Sequence, residues 1–95
     1  MTLVISQMRR PGEILDSSKL AVLSNKISGS IRQRTKGNYI AKSSIDGRTM
    51  KITIKQLNPE TNKYVSVVKD EQEILAGRVS NFLNSNNIIH DIKVI

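Results

Sequence analysis

The chain has no cysteine and no tryptophan, and only three of its 95 residues are aromatic: Tyr39, Tyr64 and Phe82. Without cysteine, disulfide bonds and thiolate metal sites are excluded, which is compatible with a reducing compartment. So few aromatic side chains require an aliphatic core, and they disfavour a single-strand-binding platform of stacked aromatics. With one histidine and scattered carboxylates, we expect neither a metal nor a cofactor.

Long apolar runs are also missing. No window approaches the ~18 apolar residues of a membrane-spanning helix. The short apolar run Thr2–Ser6 comes before the positive charges of the N-terminal segment. In a signal peptide the positive charges come first and a longer apolar run follows. We therefore expect a soluble, cytoplasmic protein with no membrane partner. The length fits one basic domain, 1–95, with a modest core.

Acidic residues are scarce relative to basic ones. Fifteen Lys and Arg against eight Asp and Glu give a formal net charge of +7. Residues 1–55 hold eleven basic and three acidic side chains, whereas residues 56–95 hold four and five. This one-sided charge favours a polyanion, RNA or DNA, as the partner, with an acidic protein as the alternative.

The clearest local signal is a β-hairpin at 38–57, which reads NYIAKSSIDGRTMKITIKQL. Asp46-Gly47 between two strand-like runs predicts a type I′ turn centred on these two residues. In that register Ile45 faces Arg48, and Lys42 faces Lys51. One face is then apolar and the other is rich in lysine. Such a polar face is typical of a solvated sheet, and an anionic partner is the alternative.

The flanking patterns predict an α+β fold. Apolar residues at Leu20, Leu23, Ile27 and Ile31 lie on one helical face, and the helix starts at 16–18 and is weakened by Gly29. Further elements are a third strand at 64–68, a second helix from Asp70 with Glu73 completing a capping box, and a last strand at 88–95. Thr2–Ser6 reads as an edge strand or an apolar tail, so 1–12 is either a flexible or an edge-strand segment.

The predicted fold is thus a small single domain, an antiparallel β-meander with two packed helices in the order (β)-α-β-β-β-α-β. Its central α-β-β-β-α order resembles that of double-stranded RNA-binding domains. Those domains have a basic, alanine-rich start to the second helix, whereas this chain has Asp70-Glu71-Gln72-Glu73. No residue roles are therefore transferred. The composition, rich in Ser, Asn, Lys and Ile, is similar to that of many viral, phage or mobile-element proteins.

Catalytic patterns are absent from the sequence. His90 and Asp91 are adjacent in a predicted strand, so their side chains point to opposite faces and do not form a base with its orienting carboxylate. There is no G-x-S-x-G nucleophile elbow, no phosphate loop and no dinucleotide fingerprint. We expect a protein that is not an enzyme.

The most basic stretch, Ser28–Lys42, contains no acid and two glycines. A flexible segment of this composition suits phosphate, because charges, hydroxyls and backbone N–H groups can all approach the ligand. We expect neutralising Arg32, Arg34 and Lys36 together to weaken binding. The residues expected to bind nucleic acid are Arg32, Arg34, Lys36, Lys42, Lys51 and Lys55, with Tyr39 as a stacking residue and Arg9 and Arg10 in a basic turn.

Two other functions fit the sequence. The first is a protein-interaction module, an inhibitor of a host factor or an assembly subunit, that pairs or self-associates through sheet edges at Thr2–Ser6 and Ile88–Ile95. The second is a binder of an anionic, nucleotide-like small molecule at Gly29–Gly37.

Overall fold

Five antiparallel strands form one sheet, and both helices pack on the same face of it. A computed structural model describes all of residues 1–95. The predicted α+β fold and its element order are confirmed. The elements are β1 (Thr2–Arg9), α1 (Ser17–Arg34), β2 (Tyr39–Asp46), β3 (Thr49–Asn58), β4 (Lys63–Ser66), α2 (Lys69–Ser85) and β5 (Ile89–Val94).

The strand order is β2-β3-β1-β5, and the short β4 pairs with the part of β3 that β1 leaves free. β1 and β2 run parallel on either side of β3, and β3 and β5 run parallel on either side of β1. Two interleaved split βαβ units of this kind form the ferredoxin-like arrangement. Because β1 at the sheet centre has no counterpart in an α-β-β-β-α plan, the resemblance in element order does not extend to the sheet. The arrangement hosts many functions, so function has to be argued from the site.

The prediction that the N-terminus is an edge strand or a tail is wrong. β1 lies between β3 and β5, and Leu3 and Ile5 on its inner face are fully buried. A bulge at Gln7, which has φ +54, shifts the register between Ser6 and Arg9. The extra residue turns Met8 towards the core and leaves the following side chain on the outer face. β1 is therefore a core strand whose last residues change face at the bulge.

The hairpin between β2 and β3 forms as predicted, but its turn lies one residue further on. Asp46 pairs with Thr49, so Gly47 and Arg48 form the two-residue loop. Of these two loop residues, only Gly47 has a positive φ, +62. This is the pattern of a type II′ turn, whereas type I′ requires a positive φ at both positions. The observed register places Ile45 opposite Met50, so apolar residues meet on the core side. The pairing differs from the predicted one by two residues, and a shift of two leaves every side chain on its predicted face.

Helix α1 begins as predicted and ends later than predicted. The Asp16 carboxylate caps it by accepting a hydrogen bond from the backbone N–H of Lys19 at 2.9 Å. The helix continues through Gly29 to Arg34 because its apolar stripe is buried against the sheet. The segment Ser28–Lys42 is therefore not a flexible loop, since only 35–38 link the helix to β2.

The C-terminus of α1 places a lysine where glycine is usual. The N–H of Lys36 bonds to the carbonyl of Gln33, and the N–H of Gly37 bonds to the carbonyl of Arg32 at 2.9 Å. This is a Schellman motif with Lys36, φ +53, in the left-handed position. An L-residue in that conformation costs roughly 1 kcal/mol relative to glycine.

Helix α2 begins at Lys69, and the predicted capping box does not form. The N-cap is Val68, which has no side-chain cap hydrogen bond, while Asp70 and Glu71 lie in the first turn, where their charges complement the helix dipole. The asparagine-rich end is confirmed as the stop. Asn87, φ +59, takes the left-handed position of a second Schellman motif.

The core between the sheet and the helices is almost entirely aliphatic, as the shortage of aromatics requires. None of its fully buried residues is aromatic, and the helices supply Leu20, Leu23, Ile27, Leu75, Val79 and Leu83. Neither helix is long and apolar enough to cross a membrane.

Replacing Gly29 with alanine is expected to raise the free energy of unfolding by about 1 kcal/mol. Gly29 is exposed within α1, and nothing lies within 4 Å of a Cβ built there, so the methyl group adds helix propensity without a clash. The corresponding rise in Tm is roughly 4–8 °C, measurable by circular dichroism. The control is Gly47→Ala, which is expected to destabilise because φ is +62 there. A lower Tm for Gly29→Ala would contradict a continuous helix.

Candidate nucleic-acid interface

The outer face of the sheet, called the open face here, is not covered by any helix. Because successive side chains of a strand point to opposite faces, every second residue of each strand lies on the open face. Its main residues are Thr2, Val4, Ser6, Ile40, Lys42, Ser44, Lys51, Thr53, Lys55, Tyr64, Ser66, Asp91 and Lys93. The open face is therefore a broad, mostly polar surface carried by the sheet.

Three lysines form a triangle on the β2–β3 part of the open face. Lys42 lies opposite Thr53, so it is the diagonal neighbour of both Lys51 and Lys55. Diagonal neighbours across antiparallel strands have Cα atoms roughly 7–8 Å apart. The predicted pairing of Lys42 directly with Lys51 does not occur. Lys42 and Lys51 therefore do not repel each other as directly opposed charges. The three ammonium groups still lie on one surface.

A fourth lysine extends this charge across the sheet. Lys93 of β5 pairs with Val4 of β1, which in turn pairs with Lys51. The only salt bridges of the structure, with N···O distances up to 4.0 Å, involve Glu13 near the start of α1. None of the four lysines of the open face thus has a carboxylate partner. The acids of this face, Asp46 and Asp91, lie towards the hairpin-turn end of the sheet.

A cavity of about 140 Å³ opens on this face next to two of these lysines. The Tyr64 hydroxyl donates a hydrogen bond of 2.8 Å to the carbonyl of Gly37, which fixes the phenol ring across the sheet. The walls are formed by Ile40, Lys42, Thr53, Lys55 and Tyr64. Tyr64 was not among the residues predicted from sequence. Its place on the open face depends on the register of β4 against β3, which the predicted meander leaves open.

The predicted basic segment does not join the open face as one unit. Arg32 and Arg34 lie in the last turn of α1, in the helix layer, where they complement the helix dipole. Arg34 lines a small apolar groove between the helices, with Arg78 of α2 also on its wall. Lys36 is exposed in the 35–38 link and precedes Gly37, the partner of Tyr64. The structure thus brings together Lys42, Lys51 and Lys55, but not Arg32 and Arg34 with them.

Tyr39 lies on the helix side of the sheet and is half-buried against the core. Burial raises the pKa of its phenol above the ordinary value; the nearby Glu71 carboxylate raises it further, and Arg78 opposes the shift. The role of a stacking residue expected for Tyr39 is not supported by this position, because its ring does not face the open face. Of the two tyrosines, Tyr64 has the exposed position.

Arg9 and Arg10 differ in their availability. Arg10 donates from Nε to the carbonyl of Asn86 at 3.0 Å and from Nη1 to Glu13 at 2.8 Å, so its guanidinium is used within the fold. These hydrogen bonds, and one from Lys19, hold the pKa of the Glu13 carboxyl below its usual range. Arg9 is exposed, next to Ile89 of β5, and binds only the carbonyl of Gln7.

The single histidine is part of the scaffold. Its Nε2 lies 2.8 Å from the Ser80 hydroxyl and its Nδ1 lies 2.9 Å from the Ile88 carbonyl, so both ring nitrogens are occupied. Asp91 points to the opposite face, as strand alternation predicts. No cluster of three potential metal-binding side chains occurs in the structure.

Together these features define a class of protein: a small α+β domain with two helices on one face of an antiparallel sheet and an uncovered, basic second face. No protein-family model matches the chain, and comparisons with curated proteins and with solved structures gave no match.

Proposed function

We propose that the protein is a non-enzymatic nucleic-acid-binding domain whose open face contacts phosphates. One observation carries the proposal: four lysines lie on one uncovered sheet face, and none has a carboxylate partner. Asp46 and Asp91 lie on the same face, yet neither forms a salt bridge with these lysines. A set of unpaired cations on a rigid surface attracts a polyanion.

The chemistry available on this face is mainly electrostatic. The ammonium groups of Lys42, Lys51, Lys55 and Lys93 would replace counterions on the phosphate backbone, and neighbouring hydroxyls such as that of Ser44 would donate hydrogen bonds. Sheets that read RNA by stacking carry aromatic residues on their central strands. Here the central positions are Val4 of β1 and Thr53 of β3, so weak sequence specificity follows. The proposal includes a cytoplasmic location.

A salt series tests this proposal directly. Purified protein is titrated against labelled single-stranded DNA, single-stranded RNA and duplex DNA at several salt concentrations. We expect a dissociation constant in the micromolar range near physiological salt, and a log–log slope of roughly −3 for single strands, from about four contacts at −0.7 each. Absence of binding to every polymer at low salt would overturn the proposal.

The second candidate function, a protein-interaction module, rests on the two free sheet edges. β2 and β5 are the outer strands, and β5 exposes Ile89 and Val94, followed by Ile95. Unpaired strand edges with apolar side chains favour pairing with another chain, including a second copy or an acidic partner. Measurement of the molar mass by sedimentation across a concentration series separates this candidate from the first. A concentration-independent monomer argues against self-association.

The third candidate, a nucleotide-like small molecule at Gly29–Gly37, loses its structural basis there. Most of that segment is helical, so it does not form a loop of free N–H groups. The same ligand chemistry fits the cavity beside Tyr64 better.

A further inference from the structure

The cavity beside Tyr64 is held in a defined shape by the fold. The phenol hydroxyl is fixed to the Gly37 carbonyl at 2.8 Å, and 38% of the residue remains exposed. The ring is thus oriented before any ligand binds, which lowers the entropy lost on binding. It is the only aromatic residue on the open face, because Tyr39 and Phe82 pack against the core.

The remaining walls contribute three further kinds of contact. Ile40 supplies an apolar surface, Thr53 supplies a hydroxyl group, and Lys42 and Lys55 supply two positive charges. Neither lysine has a carboxylate partner. A ligand that uses all of these groups combines a flat ring, hydrogen-bonding edges and an adjacent anion. Nucleotides have this combination, whereas a polyphosphate without bases gains nothing from the phenol ring.

We propose that this cavity binds one unpaired base of a single-stranded nucleic acid, with the base stacked on Tyr64 and the flanking phosphates on Lys42 and Lys55. This inference rests on the proposed function and names its substrate class. A base inside a duplex presents its edges and not its ring face, so stacking on Tyr64 requires an unpaired base. Every base has a flat face, so the subsite selects single strands over duplexes without selecting a sequence.

The chain offers a specific reporter for this contact. It has two tyrosines and no tryptophan, so a Tyr39→Phe variant leaves Tyr64 as its only strong fluorophore. Tyr39 makes no side-chain hydrogen bond, so loss of its hydroxyl is expected to preserve the fold. The variant is titrated with a short oligothymidylate and with an abasic oligomer of the same length and charge. Free tyrosine titrated with the same oligothymidylate corrects for absorbance.

The expected result is quenching of Tyr64 emission by oligothymidylate and not by the abasic oligomer. We also expect oligothymidylate to bind about tenfold more tightly, which is within the range of one base–aromatic stack. A Tyr64→Leu substitution removes the ring and retains an apolar side chain. It should abolish this preference for bases and leave the salt-dependent binding of both oligomers. Tyr64→Phe, which keeps the ring, should retain a preference for bases, provided that both variants have the circular dichroism spectrum of the parent.

Two outcomes separate this inference from the proposed function. Equal, salt-dependent binding of both oligomers without quenching would overturn the base subsite and leave phosphate binding in place. Failure of both oligomers to bind at low salt would overturn the proposed function and the subsite together.

Discussion

Replacing Lys42, Lys51 and Lys55 together with glutamine is expected to weaken binding to a single strand about 50-fold at 0.15 M salt. Each phosphate contact contributes about 0.7 to the slope of log K against log salt. With 1 M salt as the reference, that slope adds about 0.6 to log K per contact at 0.15 M salt. Three contacts thus add about 1.7 to log K, which is about 50-fold in affinity. The slope itself should fall by about 2. Fluorescence anisotropy with a labelled oligonucleotide measures both quantities.

A matched control separates the position of these charges from their number. Changing Lys26, Arg32 and Arg34 of α1 to glutamine removes the same three charges, from a formal +7 to +4, but in the helix layer. We expect less than about a fivefold loss from this variant, because distant exposed charges are screened within ~10 Å. Lys36 is left unchanged because it precedes Gly37, whose carbonyl holds the Tyr64 hydroxyl. Equal losses in both variants would show that net charge, and not the open face, determines binding.

The lysines of this site follow from local pattern, whereas the tyrosine does not. Lys42, Lys51 and Lys55 belong to one hairpin, and the period of two assigns them to one face even though the predicted turn was one residue off. Tyr64 joins them only through the pairing of Leu57 with Tyr64 between β3 and β4. The hairpin between β2 and β3 sets the inward position of Tyr39, and the register of β4 against β3 sets the outward position of Tyr64. The basic stretch around Tyr39 favours that tyrosine as a nucleic-acid contact, whereas no local pattern marks Tyr64.

The fold shows the same division between local and distant determinants. Asp16 as an N-cap, the apolar stripe of α1 and the hairpin are encoded within a few residues, and all three are observed. Gly29 shows the opposite case, since tertiary burial of the helix overrides its low propensity. The central position of β1 depends on pairing with residues about fifty positions away in β3, which no local pattern reveals. A short β-branched run has the same local pattern at a sheet edge as at the sheet centre.

The position of β1 leads to the largest expected effect on stability. Leu3 and Ile5 are both fully buried and pack in the same core as residues of β3 and both helices. Removing either side chain beyond Cβ is expected to cost about 3–4 kcal/mol, from lost burial and the cavity left behind. The Leu3→Ala, Ile5→Ala double variant should thus lose roughly 6–8 kcal/mol, comparable to the whole stability of a domain this size. We expect it to be unfolded at 37 °C.

Val4, between these two residues, supplies the control on the same strand. Its side chain lies half-exposed on the open face, so Val4→Ala should cost no more than about 1 kcal/mol. Urea denaturation of the single variants measures both effects, and it also reveals any coupling between Leu3 and Ile5, which belong to one cluster. If the double variant kept a cooperative transition within a few degrees of the parent Tm, β1 would be peripheral. The open face would then lose its central strand, and with it the rigid support that holds Lys51 and Lys93 on one surface.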